Sequence, residues 1–186
     1  YEESVKVPFI ARHPGRIPAG VVCDSLVSAY DFMPTLLDYL GLKPLDMAKR
    51  PGVSFVPALL GQDFERPGGI VVMDEYGPNR MLRDQRYKYI ARYPYGPNAL
   101  YDLKADPGEQ DNLLAHGGFE ALEQELRGRL EKWFAKYVNP EIDGAREAVF
   151  GSGQIGLAGL WGAGVSAHSC DDYIKKNPNY ALYRVK

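Results

Sequence analysis

The chain has 186 residues, 45% of them hydrophobic, which is enough for one domain with a core or for parts of two. With 22 basic against 24 acidic residues the formal net charge is -2, so there is no generalised basic footprint for nucleic acid, and no apolar run reaches the length of a membrane span. The 13 tyrosines and 14 prolines favour sheet and turn surfaces over a helical bundle.

In chain order, Val5 to Arg12 (V-K-V-P-F-I-A-R) reads as a strand-type apolar run, closed by His13-Pro14-Gly15. Val21-Val22-Cys23 reads as a second short strand. Ser28 to Leu40 has helical spacing, with Phe32, Leu36, Leu37 and Leu40 on one face, and Ser28 and Asp31 fit an S-x-x-D capping pattern. Pro34 must lie in the first turns of that helix, and Gly41 is placed to end it. Residues 43–69 are loop-rich, with a short helix near Val56 to Leu60, and Pro67-Gly68-Gly69 marks a boundary.

Beyond that boundary the apolar period becomes two. Ile70 to Met73, Arg80 to Arg83, Tyr87 to Arg92 and Ala99 to Leu103 predict four strands. Their connections are too short for parallel crossovers, so they predict an antiparallel meander. Phe119 to Tyr137 is the clearest helix. Its stripe of Phe119, Leu122, Leu126, Leu130, Trp133 and Tyr137, with Phe134 beside it, predicts a core face against the sheet. From Asn139 the pattern fails, and residues 151–164 are glycine-rich without a period.

Chemistry is sparse. There is no G-x-S-x-G, no H-E-x-x-H, no EF-hand loop and no Cys/His cluster. Gly151 to Gly156 matches G-x-G-x-x-G in form, but it follows no strand and opens no helix, so it is read as bends in a tail. Cys23 and Cys170 are expected to be unpaired buried thiols, with a disulfide as the alternative. The carboxylate pairs Glu2-Glu3, Asp74-Glu75 and Asp171-Asp172 lack metal spacing and read as solvated. His116 belongs to an exposed turn; His13 either starts a turn or stands at a ligand-binding strand end; His168 reads as a surface residue or a substrate contact.

Four segments in fixed order carry a resemblance. They are Tyr1-Glu2-Glu3-Ser4 with Val7-Pro8-Phe9-Ile10 and Pro14-Gly15; Asp31-Phe32-Met33-Pro34-Thr35-Leu36-Leu37-Asp38-Tyr39-Leu40-Gly41; Arg83-Asp84 with Tyr87-Lys88-Tyr89-Ile90; and Leu100-Tyr101-Asp102-Leu103 with Asp106-Pro107-Gly108-Glu109 and Asn112-Leu113. Together they resemble the C-terminal part of a sulfatase of the alkaline-phosphatase-like superfamily. The resemblance implies an α/β fold. Residues 1–67 would end the large catalytic domain, residues 68–138 would form a small subdomain of four antiparallel strands and one helix, and 139–186 would be a tail.

The activity implied is hydrolysis of sulfate esters, with a sulfated small molecule or glycan as partner. The alternatives are a phosphodiesterase or phosphonate hydrolase of the same superfamily, and a non-catalytic binding fragment. The family's cofactors, calcium and a formylglycine made from C/S-x-P-x-R, would both lie upstream on a missing N-terminal catalytic domain, since neither Cys23 nor Cys170 starts that motif. No catalytic or metal residue is therefore assigned to this chain, and alone it is not expected to hydrolyse a sulfate ester. The resemblance favours a periplasmic or secreted parent. Substrate contacts are expected from Arg12, His13, Trp161 and His168, with the Tyr93 to Asn98 loop beside them. An Arg or His would bind a hydroxyl or a second anionic group, and Trp161 would stack on a sugar face.

Overall fold

The computed structural model describes residues 1–43, 46–74, 79–93 and 97–144. The organising unit is a four-stranded antiparallel meander, β1 (Ile70–Met73), β2 (Asn79–Arg83), β3 (Tyr87–Arg92) and β4 (Ala99–Asp102), in the order β1-β2-β3-β4. The register sets Val71 beside Leu82, Leu82 beside Tyr89 and Tyr89 beside Leu100, so one row of apolar side chains crosses all four strands on a single face. Onto that face packs α4 (Glu120–Tyr137), which buries Leu126, Leu130 and Phe134 against the row. The meander and the long amphipathic helix thus form as their periods predict.

The opposite face carries Arg83, Lys88 and Tyr101, which are register partners through Lys88. A short N-terminal helix, α1 (Glu2–Val5), covers this face, and the Tyr1 ring lies 6.3 Å from that of Tyr101. Layers on both faces explain why β4 is buried along its whole length instead of alternating.

Between α1 and the sheet the chain runs through a single turn of 3-10 helix (Ala29–Asp31) into α2 (Phe32–Tyr39), and then α3 (Val56–Leu59). The capping expectation holds: the Ser28 N–H donates to Asp31 Oδ2 at 2.8 Å. Pro34 is the third residue of α2, where a missing N–H leaves nothing unsatisfied. Gly41, at φ +66°, ends the helix: its N–H donates to the Asp38 carbonyl at 3.0 Å, and the Leu42 N–H reaches back to Leu37 at 2.8 Å.

One expectation, that of N-terminal strands, fails. Residues 6–12 and 21–23 are not strands but coil, because among the described residues no neighbouring strand supplies hydrogen bonds to them. The apolar face of α2 forms as its spacing predicts but is left uncovered: Phe32, Leu36 and Leu40 are 53%, 43% and 54% exposed, and the buried residue of the helix is Thr35. Both regions have the composition of buried elements without a surface to be buried against.

Candidate functional site

The resemblance-bearing residues converge, but on structural work. Lys88 has an exposure of 0% and its Nζ lies 2.8 Å from Glu2 Oε1 and 2.8 Å from Glu109 Oε1. Arg83 adds a second cation, with Nε and Nη2 each 3.3 Å from the Glu2 carboxylate. Burial works to raise Glu2, but the hydrogen bonds and charge of Lys88 and Arg83 outweigh it and hold this carboxyl below its ordinary value. Glu109 makes its contact from a left-handed backbone, φ 52°, which costs a non-glycine residue on the order of 1 kcal/mol. The network ties α1, β2, β3 and the turn after β4 together. Glu2 is thus the anchor of α1, which corrects the expectation that the Glu2-Glu3 pair is solvated.

A second knot forms around Asp31. Its carboxylate accepts from the Val53 N–H at 2.9 Å and pairs with the buried Arg66. Arg66 Nε also donates to the Gly69 carbonyl at 2.8 Å. Thr35 donates to the Asp31 carbonyl at 2.6 Å and accepts from the Phe55 N–H at 3.0 Å. Tyr30 extends the knot to the sheet: its hydroxyl accepts from the Val71 N–H at 3.1 Å, and its ring lies 6.2 Å from that of Trp133 on α4. Sequence reasoning had not picked out Lys88, Glu109, Arg66 or Thr35 as network members. The only sequence signal was that three of the four lie within the resemblance segments.

What remains open is a broad trough. Its lining includes Phe9, Val21, Phe55, Val72 and Met81, so it runs between the N-terminal coil and the free side of β1 and β2. Val7, Ile10 and Val22 are 74%, 90% and 86% exposed along this region. Cys23, also exposed and free, lines the trough, contrary to the expected burial; Cys170 lies outside the described residues.

Of the expected substrate contacts, Arg12 and His13 are both exposed at one loop. His13 Nδ1 lies 2.7 Å from the Tyr39 hydroxyl, and the Arg16 guanidinium sits 4.8 Å from the centre of the Tyr39 ring. Trp161 and His168 fall outside the described residues, as do residues 94–96 of the Tyr93 to Asn98 loop. His116 is exposed, as expected of its turn, and meets Asp111 at 2.5 Å. Among the described residues no three His, Cys, Asp or Glu side chains come together as a metal site, so the chain offers no fit for calcium there, and Cys23-Asp24-Ser25-Leu26-Val27 does not fit the formylglycine motif. No step of chemistry is derived through either group. Among the described residues no helix is long and apolar enough to cross a membrane.

The family model described as N-sulphoglucosamine sulphohydrolase, C-terminal, matches residues 1–136. The chain belongs to this sulfatase C-terminal family. Its sulfatase relatives include an ulvan-active sulfatase of Formosa agariphila, 31% identical over 166 residues, with 69% of this chain and 33% of the relative covered. A delta 4,5-hexuronate-2-O-sulfatase of Bacteroides thetaiotaomicron is 32% identical over 145 residues, covering 73% of this chain and 30% of the relative. Among solved structures, one of a protein in complex with its substrate D-glucosamine-2-N,6-O-disulfate aligns at a TM-score of 0.57 and 26% identity, over 73% of this chain and 29% of its own. The chain therefore spans about a third of the length of the curated relatives it matches. The four-stranded sheet with its long helix is the architecture expected of the sulfatase C-terminal subdomain.

Proposed function

We propose that this chain serves as the C-terminal portion of a sulfatase that removes sulfate from a sulfated carbohydrate. The observation that carries the proposal is the pairing of a self-contained sheet–helix unit with an open apolar trough, in a chain that matches only about a third of each curated relative. An exposed apolar face of this extent is a docking surface. Its occupant in this reading is the remainder of the sulfatase, which would complete the sheet environment that Val5 to Arg12 and the outer face of α2 lack. The nucleophile and the calcium implied by family membership then belong to that remainder, because the described residues bring no ligand set together.

In this reading the chain divides near residue 67, with residues 1–67 finishing the catalytic α/β domain and residues 68–138 forming the subdomain. The Asp31–Arg66 pair and the Tyr30 hydroxyl on β1 give that boundary a fixed geometry. The carbohydrate class follows from the relatives, which act on ulvan and on hexuronate 2-O-sulfate, and from the disulfated glucosamine bound by the solved neighbour.

The deciding experiment is to read the coding sequence ahead of Tyr1, express the whole product and follow sulfate release from sulfated glucosamines and hexuronates. The expected result is an in-frame C/S-x-P-x-R motif and calcium-dependent sulfate release by the whole protein but not by residues 1–186 alone. A reading frame that opens at Tyr1, or a whole product that cleaves phosphonate esters and leaves sulfate esters intact, overturns the proposal.

A further inference from the structure

The arginines of this chain are not used evenly. Arg66, Arg83, Arg86 and Arg129 each meet a carboxylate, whereas no carboxylate among the described residues pairs with Arg12 or Arg16. Both stand in one turn with His13, closed by the Arg16 and Ile17 N–H groups donating to the His13 carbonyl at 3.1 and 2.9 Å. Arg12 and Arg16 thus give the turn positive charge that no carboxylate among the described residues neutralises.

The turn is nevertheless ordered. Tyr39, the last residue of α2, holds it from both sides: the hydroxyl engages His13 Nδ1 and the ring carries the Arg16 guanidinium. The carbonyl end of α2 favours cations in the same place. When the Tyr39 hydroxyl donates to Nδ1, the imidazole proton resides on Nε2, and that nitrogen becomes a further donor. The nearest acid on α2, Asp38, is taken up by the Ser54 hydroxyl at 2.5 Å; Glu3 and Asp24 belong to neighbouring stretches.

We propose that Arg12, His13 and Arg16, ordered by Tyr39, form an anion subsite for a second sulfate of the saccharide, apart from the one that is hydrolysed. The proposal rests on the sulfatase reading for the identity of the ligand, but its geometry stands without it. Two guanidinium groups and an imidazole fit the oxygens of a sulfate, and the ordering of the turn on α2 removes part of the entropic cost of binding.

Calorimetry on the 186-residue chain at low salt, with D-glucosamine-2-N,6-O-disulfate, D-glucosamine-6-O-sulfate and inorganic sulfate as probes, tests this. The disulfated sugar is expected to bind roughly tenfold more tightly than the monosulfated one, the gain from about one charge-assisted contact. Arg12→Gln and Arg16→Gln should each remove most of that difference, and Tyr39→Phe should weaken it by releasing His13. Arg12 is exposed and forms no ion pair with the described residues, so Arg12→Gln is expected to leave the melting temperature unchanged. Equal affinity for the two sugars, or Gln variants that bind like the parent, overturns the subsite. So does a result in which the Gln variants keep saccharide binding but lose assembly with the rest of the sulfatase, since the charges would then belong to docking. Sulfate release by the whole protein separates the two readings. Saccharide binding without release sinks the enzymatic reading and leaves the subsite, whereas release from disulfated sugar that ignores Arg12→Gln and Arg16→Gln sinks the subsite and leaves the enzyme.

Discussion

In the sheet–helix unit Leu82, Leu100 and Leu130 are shut between two layers, whereas in the N-terminal stretch Val7, Ile10 and Val22 stand in solvent. The two regions do not differ in how apolar their runs are. They differ in whether the partner surface lies within reach along the same chain. The meander finds its neighbours across short turns and its cover in α4, all within 68–138, so its contacts are local and its core closes by itself. The run from Lys6 to Arg12 has strand composition but no adjacent strand among the described residues, so it stays coil and Val7 and Ile10 stay open. Under the proposed reading, a sulfatase C-terminal piece would thus hold one region that folds on its own account and one that finishes another domain.

The clearest way to break the first region is through the charge network beneath it. Lys88→Met leaves Glu109 without the cation that neutralises it and Glu2 with Arg83 alone, and removing one partner of a buried pair typically costs about 3–5 kcal/mol. Urea denaturation should show this as a large fall in midpoint, with α1 released first. The same network sets an acid limit. Glu2 and Asp84 both have depressed carboxyl values: Glu2 through Lys88 and Arg83, and Asp84, against the upward push of burial, through the Tyr87 and Arg86 N–H groups and Arg129. A carboxyl depressed in the folded state stabilises above its unfolded value and loses that contribution as pH falls through the folded one. Stability is therefore expected to decline on acidification below the ordinary values of 4.5 for Glu2 and 3.8 for Asp84, and the part due to Glu2 should be smaller in Lys88→Met, where Arg83 alone remains beside it. A flat stability profile across that acid range would remove the network from the account.

Next in size is the core itself. Leu130→Ala removes a fully buried side chain from the α4 face, and such truncations cost about 2–5 kcal/mol. Denaturation followed by the fluorescence of Trp133 measures it. Because the sheet–helix unit closes locally, the loss should be of similar size in the isolated chain and in the whole sulfatase. A loss several times smaller in the isolated chain would show that the unit does not close alone.

The seam between the regions ranks third. Tyr30→Phe deletes the hydroxyl that accepts the Val71 N–H and leaves the ring beside Trp133 and Arg66 in place. One net hydrogen bond is worth about 0.5–1.5 kcal/mol, and hydrogen exchange at the Val71 amide should rise before global stability changes much.

Much of the architecture was legible because period and turn chemistry agreed: four alternating runs joined by short turns, then a long stripe from Phe119 to Tyr137. The cap at Ser28 and the glycine at Gly41 were legible for the same local reason. The networks were not, because Lys88 sits in a strand run where a lysine ordinarily marks the solvent face, and nothing in spacing says that Glu2 and Glu109 will meet it across sheet and turn. Arg66 was hidden similarly, one residue ahead of a Pro-Gly-Gly cluster that signals a break. The Phe32–Leu36–Leu40 stripe was legible as one apolar face of a helix, and it stands exposed. Periodicity reports that a face needs cover, but it does not say which part of the protein supplies it.

The smallest effect on stability, and the sharpest on the comparison, comes from the open region. Ile10→Ser and Val22→Ser change side chains that are almost wholly exposed in this chain, so the melting temperature of residues 1–186 should move by no more than about 0.5 kcal/mol equivalent. Self-association, read by sedimentation at rising concentration, should fall, because exposed apolar patches drive it. In the whole sulfatase the same two substitutions should destabilise by about 1–3 kcal/mol each, since there the side chains would be buried and a hydroxyl would take the place of apolar contact. The sign of the comparison therefore depends on context: neutral or helpful in the isolated chain, harmful in the complete protein. If both substitutions are neutral in both settings, the trough is ordinary surface, and the division between a region that closes itself and a region that closes another loses its physical basis.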